Sequence, residues 1–255
     1  MIENLIPNFP AIYREYSNLF DQVEIRIADE ENEAEINNLL SFQNEFNKFD
    51  TKLRLGISIT EITLDDNFVR RKMGALKDCH LYFYKLTDLW FAYETYFKFY
   101  FSALNINLSN RKIIWLDDNT NEMYYNNDNI QTALWDTNNE VIDKFPNVHK
   151  RKALKEYLIY CMEGAKGGQK SRLNTIINKI SINNELPLLN HSELLTITYS
   201  IRNNFVHNGE VTIYPENFSY VLKNRLLQIL YKYLVVITVK SASITIEEKL
   251  RISIV

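Results

Sequence analysis

Arg202, Asn203 and His207 fall within the six-residue run RNNFVH, and their side chains are of the types that handle phosphate groups and protons. An unperturbed imidazole titrates near about 6.5, so His207 can take or give a proton around neutral pH. Such acid–base help typically contributes about 10²–10⁴-fold to a rate. Arg202 stays charged and presents a planar fork suited to phosphate oxygens. Asn203 lies one turn before His207 and about 40° from it around a helix, where it can fix the ring or a bound phosphate. An arginine and a histidine at this spacing are common in chains of this composition. Three features add weight: the asparagine directly after the arginine, the place of the run at the end of a long amphipathic helix, and the expected place of that helix between other bundle helices.

That helix is written into residues 190–209. Asn190 with Glu193 three positions later fits a capping box, and Asn208-Gly209 supplies residue types that accept a left-handed stop. Leu194, Ile197, Ile201 and Phe205 share one face, which is expected to pack into a core. With Ile201 at zero, Arg202 falls at about 100°, Asn203 at about 200° and His207 at about 240°, so all three are expected to point away from that core. Ser192, Leu195, Tyr199 and Val206 form a second, mixed face. A helix with two such faces is expected to have two partners.

The surrounding chain is built mostly for helices. With only 6 Gly and 5 Pro in 255 residues, tight turns are scarce, while 16 Tyr and 14 Phe supply bulky core material. A net charge of −3 excludes a broadly basic surface but leaves room for a local anion site. Cys79 and Cys161 sit in apolar helical patterns and read as buried free thiols. The start, MIENLIPNFP, has neither a basic segment nor an apolar run, and the apolar stretch 226–239 is broken by Gln228 and Lys232. A cytoplasmic chain without a membrane span is therefore expected.

Residues 1–70 read as a small N-terminal extension, and 71–255 as a helical bundle with an insertion at about 105–148. In the extension, 34–49 has a helical pattern, the acids around Glu31–Glu35 suit a solvated helix start, and the alternation of Leu53, Leu55, Ile57 and Ile59 predicts a strand over 52–63. In the bundle, Cys79, Phe83, Leu86, Trp90, Tyr93, Phe97, Tyr100 and Leu104 step by three or four, which predicts a long core helix over 76–104. The insertion reads as a hairpin and loop, with a short strand at 112–116. Residues 149–180 read as helical with an interruption at Gly164–Gly168. That interruption lacks the frame of a phosphate loop and is expected to be a turn. A further helix spans 217–239, and the tail alternates too weakly to assign to helix or strand.

The four histidines, His80, His149, His191 and His207, make no metal-binding spacing with one another or with cysteine, so neither a metal nor another cofactor is expected. Secondary candidates surround the main run. Glu94 and Lys98, four apart, are expected to pair on a helix surface or to orient Arg202, and Tyr199 lies one turn before Asn203. Lys150, Arg151, Lys152, Lys170 and Arg172, with Lys166, are expected either to track a nucleic-acid backbone or to form a solvated basic face.

The Arg202-Asn203-x3-His207 run resembles the Rx4–6H signature of the HEPN superfamily (higher eukaryotes and prokaryotes nucleotide-binding), in which a polar residue often follows the arginine. The motif covers about six residues; the helical pattern covers about 71–240. The resemblance implies a mainly α, up-and-down helical bundle that forms a homodimer around the motif helix. It also implies a metal-independent endoribonuclease of toxin–antitoxin or anti-phage systems, with RNA as substrate and an antitoxin protein as a further partner. Arg202 and His207 carry over as catalytic positions and Asn203 as their support. Gly209 stands where one subfamily has a tyrosine. The implied reaction is attack of an RNA 2′-hydroxyl on the adjacent phosphate, which DNA cannot undergo. The alternative is a catalytically inactive HEPN-like module that binds a protein partner or a nucleotide. A sensor triggered by a cyclic nucleotide ranks last, because about 70 residues are too few for a doubly wound sensor domain.

Overall fold

The computed structural model describes residues 2–63, 74–207, 209 and 218–252. They form nine α-helices with short 3₁₀ turns, and no strand occurs among the described residues. The architecture is all-α and bundle-like, as the periodicity predicts. The helices are α1 (Phe9–Asp29), α2 (Glu33–Ser58), α3 (Gly74–Leu104), α4 (Glu122–Tyr125), α5 (Asp128–Lys144), α6 (Val148–Glu163), α7 (Gly167–Lys179), α8 (His191–His207) and α9 (Tyr220–Ile252). They divide into two compact units: Met1–Ser58, Asp88–Ala133 and Leu234–Val255 form the first, and Ile59–Thr87 with Leu134–Tyr233 the second. Helices α3 and α9 each contribute one half to either unit.

In the first unit, α1 and α2 pack together through Phe9, Ile12, Tyr16, Leu19 and Val23 on one side and Leu39, Phe42, Phe46 and Phe49 on the other. Both stripes follow the three-and-four spacing of a helix face. The strand expected over 52–63 is not there, because α2 runs on to Ser58. The same spacing continues through Leu53 and Gly56, which are buried, whereas Leu55 is exposed, so one helical face satisfies the burial that alternation suggested. Gly56 is also required by proximity: a Cβ there would stand 3.0 Å from the backbone N and Cα of Leu89 on α3. The second half of α3 carries the expected aromatic core, with Phe49 and Phe99 stacked at 5.5 Å and Tyr96 hydrogen-bonded to Thr245 of α9 at 3.0 Å.

The expected hairpin at 105–148 is likewise replaced by helical turns. Backbone bonds there are local: the amides of Arg111, Ile114 and Asp117 donate to carbonyls three residues back, at 2.8, 2.8 and 3.1 Å. Trp115 and Leu116 are buried completely, and the Trp115 indole donates to the Tyr93 hydroxyl at 2.7 Å. A short apolar run can therefore bury its large residues through 3₁₀ turns without a partner strand. Residues 128–144, within the same insertion, are the helix α5.

In the second unit, α6, α7 and α8 pack on one another. The glycine interruption is a turn between α6 and α7, and Gly167 has φ +53°, a conformation that glycine adopts at little cost. Cys79 and Cys161 are buried, as their apolar helical patterns predict. The last helix extends much further than 217–239, to Ile252, and its residues Tyr220–Arg251 are long and apolar enough to cross a membrane. Yet 89% of its most apolar 18-residue window is buried, as in a core helix. Asn208 of the expected stop and the first residue, 217, of the helix expected over 217–239 lie outside the described residues.

Candidate functional site

Helix α8 is held by its approach segment before it is held by its own packing. The buried Asn138 side chain on α5 copies a strand edge: its Nδ2 donates to the Leu189 carbonyl at 2.8 Å and its Oδ1 accepts from the Leu189 amide at 2.6 Å. One residue later the capping box forms as the sequence predicts. The Asn190 Oδ1 accepts from the Glu193 amide at 2.9 Å, and the Glu193 Oε2 accepts from the Asn190 amide at 2.9 Å. His191 on the first turn bonds the Tyr233 hydroxyl at 2.7 Å. At the far end Gly209 takes φ +65°, consistent with a left-handed stop. Leu194, Ile197 and Ile201 are buried, and Phe205 stacks on Phe83 of α3 with ring centroids 4.7 Å apart.

These constraints bring Arg202, Asn203 and His207 together. Arg202 Nη1 donates to the Asn203 Oδ1 at 2.9 Å and lies 3.2 Å from the His207 Nε2. With the guanidinium as donor, that ring nitrogen is the acceptor, and a neutral ring carries its proton on Nδ1. His207 is exposed and Asn203 half-buried. Arg202 corrects the expectation that all three stand away from the core, since its side chain is only 7% exposed. Its long stem bridges the wide angle to His207, lies buried, and leaves the guanidinium between an amide oxygen and an imidazole.

Gln169, on the first turn of α7, belongs to the same network and was not legible as a site residue. Its Oε1 accepts from the Asn203 Nδ2 at 3.4 Å, and its Nε2 donates to the Ser200 hydroxyl at 2.9 Å. Ser200 in turn donates to the Thr196 carbonyl at 2.7 Å. The partner of α8 on its Ser200–Asn203 side is thus α7 of the same chain. Leu195 is fully buried within the chain, Tyr199 half-buried, and Val206 40% exposed.

The secondary candidates scatter. Glu94 pairs with Lys112 instead of Lys98, which is exposed, and both belong to the first unit while Arg202 belongs to the second. Arg151 is buried and serves the scaffold: its Nε donates to the Ile182 carbonyl at 3.0 Å and its Nη1 to the Pro146 carbonyl at 2.5 Å. Lys150 is half-buried, and Lys152 is exposed with Glu156 at 3.9 Å. Lys166 and Lys170 are exposed on the turn into α7 and its first turn, and Arg172 is half-buried beside α8.

Burial shifts several titrating groups of this unit, His80 and Lys85 among them. His80, in edge-to-face contact with Phe205 at 5.6 Å, is held below the ordinary histidine range. Lys85, which donates to the Ile59 carbonyl at 2.6 Å, is also lowered. Among the described residues no three His, Cys, Asp or Glu side chains gather as a metal site. Comparison of the chain with protein-family models, curated proteins and solved structures found no match.

Proposed function

We propose that this protein is a metal-independent endoribonuclease of HEPN type, acting in toxin–antitoxin or anti-phage defence. The observation that carries the reading is the 3.2 Å approach of the Arg202 guanidinium to the His207 imidazole, with Asn203 on the same guanidinium nitrogen. A permanent cation for phosphate oxygens and a proton acceptor at the solvent boundary are the two groups that 2′-hydroxyl attack needs. His207 accepts the proton as the 2′-oxygen bonds to phosphorus. The bond from phosphorus to the 5′-oxygen breaks, and that oxygen takes a proton from imidazolium. The products are a 2′,3′-cyclic phosphate and a 5′-hydroxyl. Arg202 leaves its intramolecular partners for the phosphate, where charge builds in the transition state.

A homodimer is part of the proposal. Val206 and Tyr199 remain for a second copy to cover, and two-fold pairing there would bring two Arg202/His207 sets together. The test is cleavage of mixed-sequence RNA in EDTA, scored for cyclic-phosphate ends. Wild type should cleave RNA and spare DNA, while His207→Ala and Arg202→Ala should each lose at least about a hundredfold. Equal cleavage by wild type and both variants would overturn the assignment, and a strict monomer by light scattering would overturn the composite site. One observation favours the catalytically inactive module: Arg202 is buried and already engaged by its own neighbours. Absence of cleavage with any RNA, alongside an intact fold, would decide for that reading.

A further inference from the structure

Helices α7 and α8 run antiparallel and are pinned at two places. Gln169 ties the start of α7 to Ser200 and Asn203, and Lys179 at its end meets the Glu193 carboxylate at 2.7 Å. Between the pins lies a cleft of about 190 Å³, lined by Arg172 and Thr175 from α7 and by Asn190, Ser192, Glu193 and Thr196 from the α8 side.

Two side chains in this cleft are unlike their neighbours. Thr198 and Ser200 each donate to the carbonyl four residues back, at 2.8 and 2.7 Å. Thr196, which is 1% exposed, does not do so, and its hydroxyl has no hydrogen-bond partner among the described residues. The Arg172 Nε is also buried without a partner, and its guanidinium makes no ion pair among the described residues. It folds back over Gly168, where a Cβ would stand 3.4 Å from Nη1. The one carboxylate in the cleft is already compensated, since Glu193 accepts from the Asn190 amide and the Lys179 ammonium. What is left over is a permanent cation and a hydroxyl beside the positive end of α8. Buried donors of this kind are unfavourable without an acceptor.

We propose that this cleft binds a phosphoryl group, with Arg172 and Thr196 as its donors. The planar guanidinium takes two oxygens side by side, and a third oxygen is needed for Thr196. A tetrahedral phosphoryl group offers that third oxygen, whereas a carboxylate spends both of its own on the arginine. Arg172 is half-buried at the cleft, so a turn of its side chain carries the guanidinium onto the anion and uncovers the hydroxyl. The phosphoryl group can belong to free phosphate or to the backbone of an RNA strand that also passes His207. The site does not rest on the ribonuclease reading: a phosphate site in a chain that cleaves nothing would leave it standing.

The test uses the full chain, titrated calorimetrically with inorganic phosphate up to about 10 mM at constant ionic strength, with acetate as the competitor. Thr196→Val conserves shape and removes only the hydroxyl, and Arg172→Gln removes the charge. Wild type should bind phosphate saturably, both variants should bind at least about tenfold more weakly, and acetate should not displace it. A second arm measures binding of a fluorescent RNA oligonucleotide in the His207→Ala background. Weaker RNA binding in Arg172→Gln assigns the site to a strand phosphate, and unchanged RNA binding with phosphate lost assigns it to the free anion. The proposal is overturned if neither phosphate nor RNA binding responds to either variant, or if acetate binds as well as phosphate. Failure of the ribonuclease reading looks different, as absence of cleavage with phosphate binding intact.

Discussion

The close approach at Gly56 sets two effects of one substitution against each other. In a helix interior alanine is favoured over glycine by about 1 kcal/mol, so Gly56→Ala on an isolated α2 would be stabilising. Here the new Cβ would lie 3.0 Å from two backbone atoms of Leu89 and 3.3 Å from its Cβ. Ordinary carbon contacts need about 3.5–4.0 Å, so α2 and α3 must separate by about half an ångström or more. Backbone cannot turn aside as a side-chain tip can. Overpacking of this kind costs about 1–3 kcal/mol, which outweighs the propensity gain. The net expectation is a loss of about 1 kcal/mol for Gly56→Ala. Gly56→Val, which adds two γ-carbons to the same contact, should lose about 3 kcal/mol. Trp90 and Trp115 are fully buried in the same unit, so tryptophan fluorescence during urea unfolding reports on it directly. The midpoint should fall in the order glycine, alanine, valine with an unchanged slope. A higher midpoint for Gly56→Ala would refute the close-approach argument.

Other perturbations test how α8 is held. Asn138→Ala strands the Leu189 amide and carbonyl, and at about 1–3 kcal/mol for each lost buried partner it should cost about 3 kcal/mol. Hydrogen exchange at the Leu189 amide should accelerate accordingly, and an unchanged rate would remove Asn138 as the tether. Asn190→Ala breaks the capping box and should cost about 1 kcal/mol in chemical unfolding, with Asn190→Asp largely restoring it. For pH, burial lowers His80 below its ordinary value, so the unfolded chain binds this proton first as acidity rises. That contribution makes stability fall as pH drops through about 6.5 toward the lower folded value, and rise with pH over the same window. His80→Phe should flatten this part of the curve of melting temperature against pH; a curve of the same slope would reject the assignment.

Sequence by itself determined the helices whose signals are local. The capping box of Asn190 and Glu193, the glycine stop at Gly209, the aromatic stripe of α3 and the turn at Gly167 all depend on residues within a few positions of one another, and all appear where the pattern places them. The Arg202–Asn203–His207 cluster was legible for the same reason, being one turn and a half of one helix. Tertiary structure decided the rest. Alternation at 52–63 and the short run 112–116 suggested strands. A strand needs a distant partner for its peptide groups, however, and helical bonds satisfied them locally while Gly56 and Trp115 found their packing. Burial of Arg202, recruitment of Gln169 and the unpartnered donors of Arg172 and Thr196 arise because α7 lies along α8. No spacing within one segment encodes which helix covers another, since that choice depends on the whole set of apolar faces competing for the same core.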